Sequence, residues 1–257
     1  MSRAAPSYGR RGRLNEADSG IRHVASTFGK PKLSTFSEKA SGHINVEYNP
    51  ERLVSHLLAI DPRVKAFHPQ PFSVDLIDQR VLFSKEAKSE ARLRHRDVPG
   101  ERVYTPDFSI DWHGGLHCAV EVKTEGFEGF DAYWDKLARA RSILAANNYP
   151  LRTVVIPADP NHPIRMNAWQ LKQAAQKAKS CLDDDLVERV ESRCEDGPVT
   201  MAALCKDLQL HPGLIPVLLV SGVLSGDLAH HRMRGTFELR LAYGDLSHLC
   251  LLEVLEK

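Results

Sequence analysis

The chain has 257 residues, 42% of them hydrophobic and 26% charged, with a formal net charge of +1; this is the balance of an ordinary soluble globular protein, long enough for one full core and a smaller second one, and it excludes a chain that is basic throughout. No apolar run approaches the roughly 20 residues of a membrane span, and no signal-peptide pattern opens the sequence, so a cytoplasmic protein with no membrane partner is expected. The five cysteines, Cys118, Cys181, Cys194, Cys205 and Cys250, are scattered, odd in number and without a Cys-x-x-Cys pair, which argues against a zinc ribbon, an iron–sulfur cluster and a disulfide framework and for reduced, mostly buried thiols.

Residues 1–42 read as a basic flexible arm. Arg3, Arg10, Arg11, Arg13, Arg22, Lys30, Lys32 and Lys39 outnumber Glu16, Asp18 and Glu38 among Ser, Gly and Pro. Such a segment buries too little apolar surface to fold alone; it either lies along a phosphate backbone or serves as a solubilising tail. Residues 43–165 read as an α/β domain with a mixed sheet. Asn49-Pro50 is a helix start, Leu53, Val54, Leu57 and Leu58 form a helical stripe, and Asp61-Pro62 is the stop. Glu51 falls on the inward side of the first turn, as a helix-dipole partner or as a member of a pocket.

Two strand-like runs follow, Val64 to Phe67 and Phe72 to Ile77. The charged stretch from Ser84 to Arg102 is a helix or ordered loop with a positive face. Next comes a hairpin. Asp107 opens its first strand, Gly114-Gly115 is the turn, and Ala119 to Lys123 is the return strand, on which Glu121 and Lys123 share one face by the two-residue period. Taken singly, Pro-Asp is a common turn pair and Glu-x-Lys a common solvated face. Taken together, two carboxylates and a lysine at one edge supply oxygen ligands for a hard cation and a positive charge near an attacking water, which are the parts of a metal-dependent phosphodiesterase. A helix from Asp131 to Asn147 and a strand from Leu151 to Ile156 complete the α/β pattern.

Residues 166–257 have a different grammar. A linker helix spans Asn167 to Ser180, and three helices follow, Asp183 to Cys194, Thr200 to Leu208 and Leu214 to Gly222. A ribbon of Val223–Asp227 and Thr236–Leu241 then carries His230, His231, Arg232, Met233 and Arg234 at its tip. Three helices and a two-stranded wing describe a winged-helix-like domain.

With these landmarks in place (Glu51, Leu57-Leu58, Asp61-Pro62, Val64, Gln70-Pro71, Tyr104-Thr-Pro-Asp-Phe108, Glu121-Val-Lys123), the chain resembles the TnsA endonucleases, the end-cleaving subunits of heteromeric cut-and-paste transposases. These are restriction-endonuclease-like enzymes of the PD-(D/E)XK type. The likeness covers roughly residues 45 to 160 and, more weakly, the winged-helix-like tail. It departs from the family at Thr124, where a proline often follows the lysine, and in the longer basic arm.

The resemblance implies an active site of Glu51, Asp107, Glu121 and Lys123. Asp107, Glu121, the Val122 carbonyl and Glu51 would ligate Mg²⁺, with Mn²⁺ as an alternative. The implied partners are double-stranded DNA at the transposon ends, a TnsB-like DDE transposase and a TnsC-like AAA+ ATPase. Two other readings stay open: a non-catalytic DNA-binding adaptor on a nuclease scaffold, and a stand-alone restriction or repair nuclease.

Overall fold

The computed structural model describes residues 20–21 and 33–255. Most of the expected basic arm, including Arg3, Arg10, Arg11, Arg13, Arg22, Lys30 and Lys32, lies outside them. Gly20 and Ile21 touch the fold closely. Ile21 N–H donates to the Gln70 carbonyl at 2.9 Å, and a Cβ on Gly20 would fall 2.2 Å from the Pro69 and Gln70 carbonyl oxygens, so only glycine fits there.

Strands β1 (Leu33–Ser37) and β2 (Gly42–Val46) form an antiparallel hairpin with Leu33 opposite Val46. Regular structure therefore begins inside the segment read as arm. The buried side chains of β1 are Thr35 and Ser37, with Leu33 the one apolar residue packed on the core from that face, so the strand carries little apolar alternation to detect in sequence. Helix α1 (Asn49–Ile60) follows, with Tyr48 as the capping residue, Pro50 in the first turn, and Leu53, Val54, Leu57 and Leu58 buried as the stripe predicts.

The chain then passes through β3 (Val64–Pro69), β4 (Ser73–Asp75), β5 (Arg80–Leu82), α2 (Lys85–Arg94), β6 (Val103–Tyr104), β7 (Phe108–Trp112), β8 (His117–Thr124), α3 (Asp131–Ala146) and β9 (Leu151–Ile156). Beyond these lie α4 (Pro163–Ala175), α5 (Ala178–Cys181), α6 (Asp184–Cys194), β10 (Val199–Thr200), α7 (Met201–Asp207), α8 (Ile215–Val220), β11 (Leu224–Ser225), β12 (Glu238–Leu241) and β13 (Val254–Leu255).

The fold is mixed α/β around a mixed five-stranded sheet of order β13-β9-β8-β7-β3. Only β8 and β9 run parallel. A parallel pair needs a crossover, and α3 provides it. The β7–β8 connection is the expected tight turn, with Gly114 at φ 100° and Gly115 at φ 86°. One face of β8 (Cys118, Val120, Val122) belongs to a core shared with α1; Ala119 on the other face packs with Phe72, Val74, Tyr104, Leu137 and Leu144. That second core is roofed by α3 and the side sheet β5-β4-β6.

The shared core does not stop at residue 165. Ala168 and Leu171 of α4 and Leu186, Val190, Leu204, Ile215, Leu218, Leu239 and Leu252 continue it, and β13 pairs antiparallel with β9. In this half α6, α7 and α8 accompany a small antiparallel sheet of order β10-β12-β11. The segment expected as an open ribbon tip is fastened from beneath. Buried Asn167 donates through Nδ2 to the carbonyls of Leu228 (2.9 Å) and His231 (2.8 Å), and its Oδ1 accepts from Met233 N–H at 3.0 Å. Among the described residues no single helix is long and apolar enough to cross a membrane.

Candidate active site

Glu51, Asp107, Glu121, Val122 and Lys123 all line one cavity of about 780 Å³, together with Glu47, Tyr48 and the start of α1 (Asn49, Pro50) and with the end of β8 and the loop after it (Thr124 to Phe127). Each arrives for a local reason. Glu51 sits in the first turn of α1, where an acidic side chain faces the helix N-terminus, and its Oε2 accepts the Glu47 N–H at 3.0 Å. Asp107 immediately precedes β7 and is clamped through its main chain on both sides: its N–H donates to Val120 O at 2.9 Å, and its carbonyl accepts from Gln70 N–H at 2.8 Å. Its side chain crosses to β8, where Oδ2 accepts the Val122 N–H at 2.7 Å. Glu121 and Lys123 follow on β8 with the two-residue period, and the Lys123 ammonium meets Glu121 Oε1 at 2.8 Å.

Glu121 is buried, and its carboxylate is held by more than the lysine. Tyr104 OH donates to Oε2 at 2.6 Å and Tyr133 OH to Oε1 at 2.7 Å. Burial, reinforced by the Glu121 charge, pushes both phenols above their ordinary range, so they remain donors at any working pH. Lys123 Nζ lies 4.4 Å from the ring centroids of both Phe127 and Tyr133. The ammonium is thereby fixed between two aromatic faces and a carboxylate.

Asp107 behaves differently. Burial, then the Glu121 charge, then the Glu51 charge push its carboxyl well above the ordinary range, only partly offset by the Val122 N–H and Lys123. Glu51, Asp107 and Glu121 thus share a cavity that Glu47 and Glu125 also line, with Lys123 among them. A hard cation with oxygen ligands fits that donor set, because it neutralises the repulsion that raises Asp107 and matches carboxylate and carbonyl chemistry.

The two tyrosines and the Gln70 backbone were not recognised as site members from sequence. In the sequence Tyr104 and Gln70 stand only as landmarks of the resemblance. Their roles depend on strands and a helix meeting across 12 to 37 residues of chain, which no local spacing encodes.

A second group with metal-ligand atoms lies elsewhere: Asp75, Asp78 and His95, with ligand atoms all within 4.8 Å of one another. Basic side chains of the chain already serve it. Arg94 meets Asp78 at 2.8 Å, Arg80 lies 3.8 Å from Asp75, and His95 Nε2 is 3.3 Å from each carboxylate. Burial pushes Asp75 up, but the Asp78 and Ile77 N–H groups and His95 outweigh it and hold the carboxyl below its ordinary value. The pattern is that of an ion-paired fastener between the β4–β5 turn and the end of α2.

No protein-family model matches the chain, and no curated protein matches it.

Proposed function

We propose that the chain is a divalent-cation-dependent DNA endonuclease with a restriction-endonuclease-like core, acting as the TnsA-like, 5′-end-cleaving subunit of a heteromeric cut-and-paste transposase. The observation that carries the reading is the convergence of Glu51, Asp107, Glu121 and Lys123 on one open cavity. The β7–β8 hairpin, the parallel β9 and the crossover α3 supply the framework such a core needs. Helices α6, α7 and α8 with the small antiparallel sheet β10-β12-β11 suit a winged-helix-like tail.

Asp107, Glu121 and the Val122 carbonyl would hold Mg²⁺ or Mn²⁺, with Glu51 completing the set. When bound, the cation supplies Lewis-acid stabilisation of charge on the scissile phosphate and the leaving oxygen. The chain's own groups do the rest. Tyr104 and Tyr133 fix the Glu121 carboxylate, while Phe127 and Tyr133 hold Lys123 where its ammonium orients the attacking water against the phosphate. Double-stranded transposon-end DNA, a TnsB-like transposase and a TnsC-like ATPase are the partners of this reading.

The test is strand cleavage on transposon-end DNA in Mg²⁺, with the partner subunits present. Asp107→Ala and Lys123→Ala should abolish cutting while partner binding persists. Full cutting by either variant refutes the assignment. Calorimetry with no Mn²⁺ binding would favour the adaptor reading instead, and sequence-specific cleavage of plain duplex by the chain alone would favour a stand-alone nuclease.

A further inference from the structure

A second, smaller cavity of about 260 Å³ lies between α1 and α4, lined by Asn49, Arg52, Leu53, His56, Pro160, Arg165 and Trp169. Its chemistry is opposite to that of the acidic cavity. Arg52 and His56 stand one turn apart on α1; Arg165, Trp169 and Lys172 occupy the same periodicity on α4. Arg165 is fixed by its Nε–H donating to Pro157 O at 2.8 Å.

Lys172 and His56 are only 7% and 5% exposed. Among the described residues no carboxylate figures in the electrostatic surroundings of either one. Burial, then the Lys172 charge, then the Arg52 charge lower the His56 pKa to about 4, so its ring stands neutral beside them. Burial and Arg52 likewise lower Lys172. Burying Lys172 beside Arg52 without an acid costs the free protein stability. A chain that carries this cost beside a cavity lined by Arg52 and Arg165 has a place for an anion.

The position of the cavity identifies which anion. Asn49 lines both cavities, and the adjacent residues Glu51 and Arg52 line the acidic and the basic one respectively. The two are neighbours around the first turn of one helix. An acidic cradle repels a polyanionic strand, so a strand that reaches it needs cations immediately beside it. The indole of Trp169, 52% exposed, offers an apolar surface at the rim for a sugar or base.

We propose that the α1–α4 cavity binds a backbone phosphate of the DNA strand whose neighbouring phosphodiester lies in the Asp107–Glu121 cavity, with Arg52 and Arg165 as direct contacts and Lys172 as the buried charge behind them. The inference rests on the nuclease reading for the identity of its strand.

The test is duplex binding by fluorescence anisotropy in Ca²⁺ across a salt series, using the full chain and the variants Arg52→Gln, Arg165→Gln and Lys172→Met. Each arginine variant should weaken binding and make the salt slope shallower by about one, the signature of one lost phosphate contact. Inorganic phosphate at matched ionic strength should raise the melting temperature of the wild type but not of Lys172→Met. That variant should itself melt higher than the wild type, which separates lost binding from lost folding. Unchanged slopes in the folded arginine variants overturn the proposal. So does stabilisation by phosphate with no effect on DNA slopes, which marks a free-anion site, or protection by an acidic peptide alone. If the slopes change while Asp107→Ala still cuts, the phosphate contact stands and the nuclease assignment falls.

Discussion

Tyr104→Phe and Tyr133→Phe each take one hydroxyl donor from the Glu121 carboxylate, yet the structure predicts unequal costs. Among the described residues, Glu121 Oε2 receives Tyr104 OH at 2.6 Å, whereas Oε1 receives both Tyr133 OH at 2.7 Å and Lys123 at 2.8 Å. Tyr104 and Glu121 are 4% and 7% exposed, so water cannot readily replace the lost donor. A hydrogen bond to a buried charged group is worth about 1.5–3 kcal/mol, and an acceptor left bare costs the upper part of that range. Tyr104→Phe should therefore destabilise by about 2–3 kcal/mol. Tyr133→Phe leaves the lysine in place and should cost about 1 kcal/mol. For a chain of this size these figures translate to roughly 4–12 °C and 2–4 °C of melting temperature.

Urea unfolding of the metal-free protein measures the difference. Mn²⁺ titration of the same variants should show about tenfold or greater weakening for Tyr104→Phe, the usual scale for a group that orients a metal ligand. In a Glu121→Gln background the acceptor is neutral, and the Tyr104→Phe penalty should shrink to about 1 kcal/mol. A Tyr133→Phe penalty equal to or above that of Tyr104→Phe, or a Tyr104→Phe penalty that Glu121→Gln leaves unchanged, would refute the account of how Glu121 is held.

Asp107→Asn keeps an acceptor for the Val122 N–H but removes a charge that Glu121 and Glu51 oppose. The folded carboxyl titrates above its unfolded value, so the metal-free protein loses stability as pH rises past the ordinary Asp range toward the folded value. Asp107→Asn should remove that loss, stabilise the metal-free protein at neutral pH by about 1–2 kcal/mol, and abolish thermal stabilisation by Mn²⁺. His95→Ala is the control for the other cluster: it should lower the melting temperature while leaving the Mn²⁺ response intact, and a lost response would move the metal to Asp75 and Asp78. Asn167→Ala strips three hydrogen bonds from residues 228–233 and should cost about 2–4 kcal/mol by equilibrium unfolding.

The hairpin that carries Asp107, Glu121 and Lys123 was legible in sequence because its signals are local: two glycines for the turn and a two-residue period on the return strand. Helix α1 was legible for the same reason, its stripe and its Pro50 both lying within one element. The inward-facing position of Glu51 followed from that stripe; its meeting with Asp107 did not, because it depends on how α1 lies across β8. Strand β1 escaped because Thr35 and Ser37 are its buried side chains, and hydroxyls on a strand look like loop. The tyrosine clamp escaped because phenols on β6 and α3 reach Glu121 only after the side sheet and the crossover helix have packed.

Helix α4 ties these levels together and yields a last prediction. Its Leu171 and Ala168 are fully buried in the core that also holds Leu53, Val54 and Leu57 of α1, its Asn167 secures the 228–233 segment, and its Arg165 and Lys172 adjoin Arg52 and His56. The seat of α1, and with it Glu51, is therefore set partly by residues beyond 165. Arg63 adds a second tie, pairing with Asp61 at 2.6 Å at the end of α1 and donating to Leu252 O at 3.1 Å. Leu171→Ala should cost about 2–5 kcal/mol, since it opens a cavity against α1. A chain ending at residue 165 removes that contact entirely, together with the β13 edge of the sheet. It should unfold without a sharp transition and bind Mn²⁺ more weakly than the full chain, even though every candidate ligand is present. Differential scanning calorimetry and Mn²⁺ titration of the truncated chain decide the matter: a cooperative transition with unchanged affinity would mean that α1 holds its place without α4, and that the continuous core is contact without consequence.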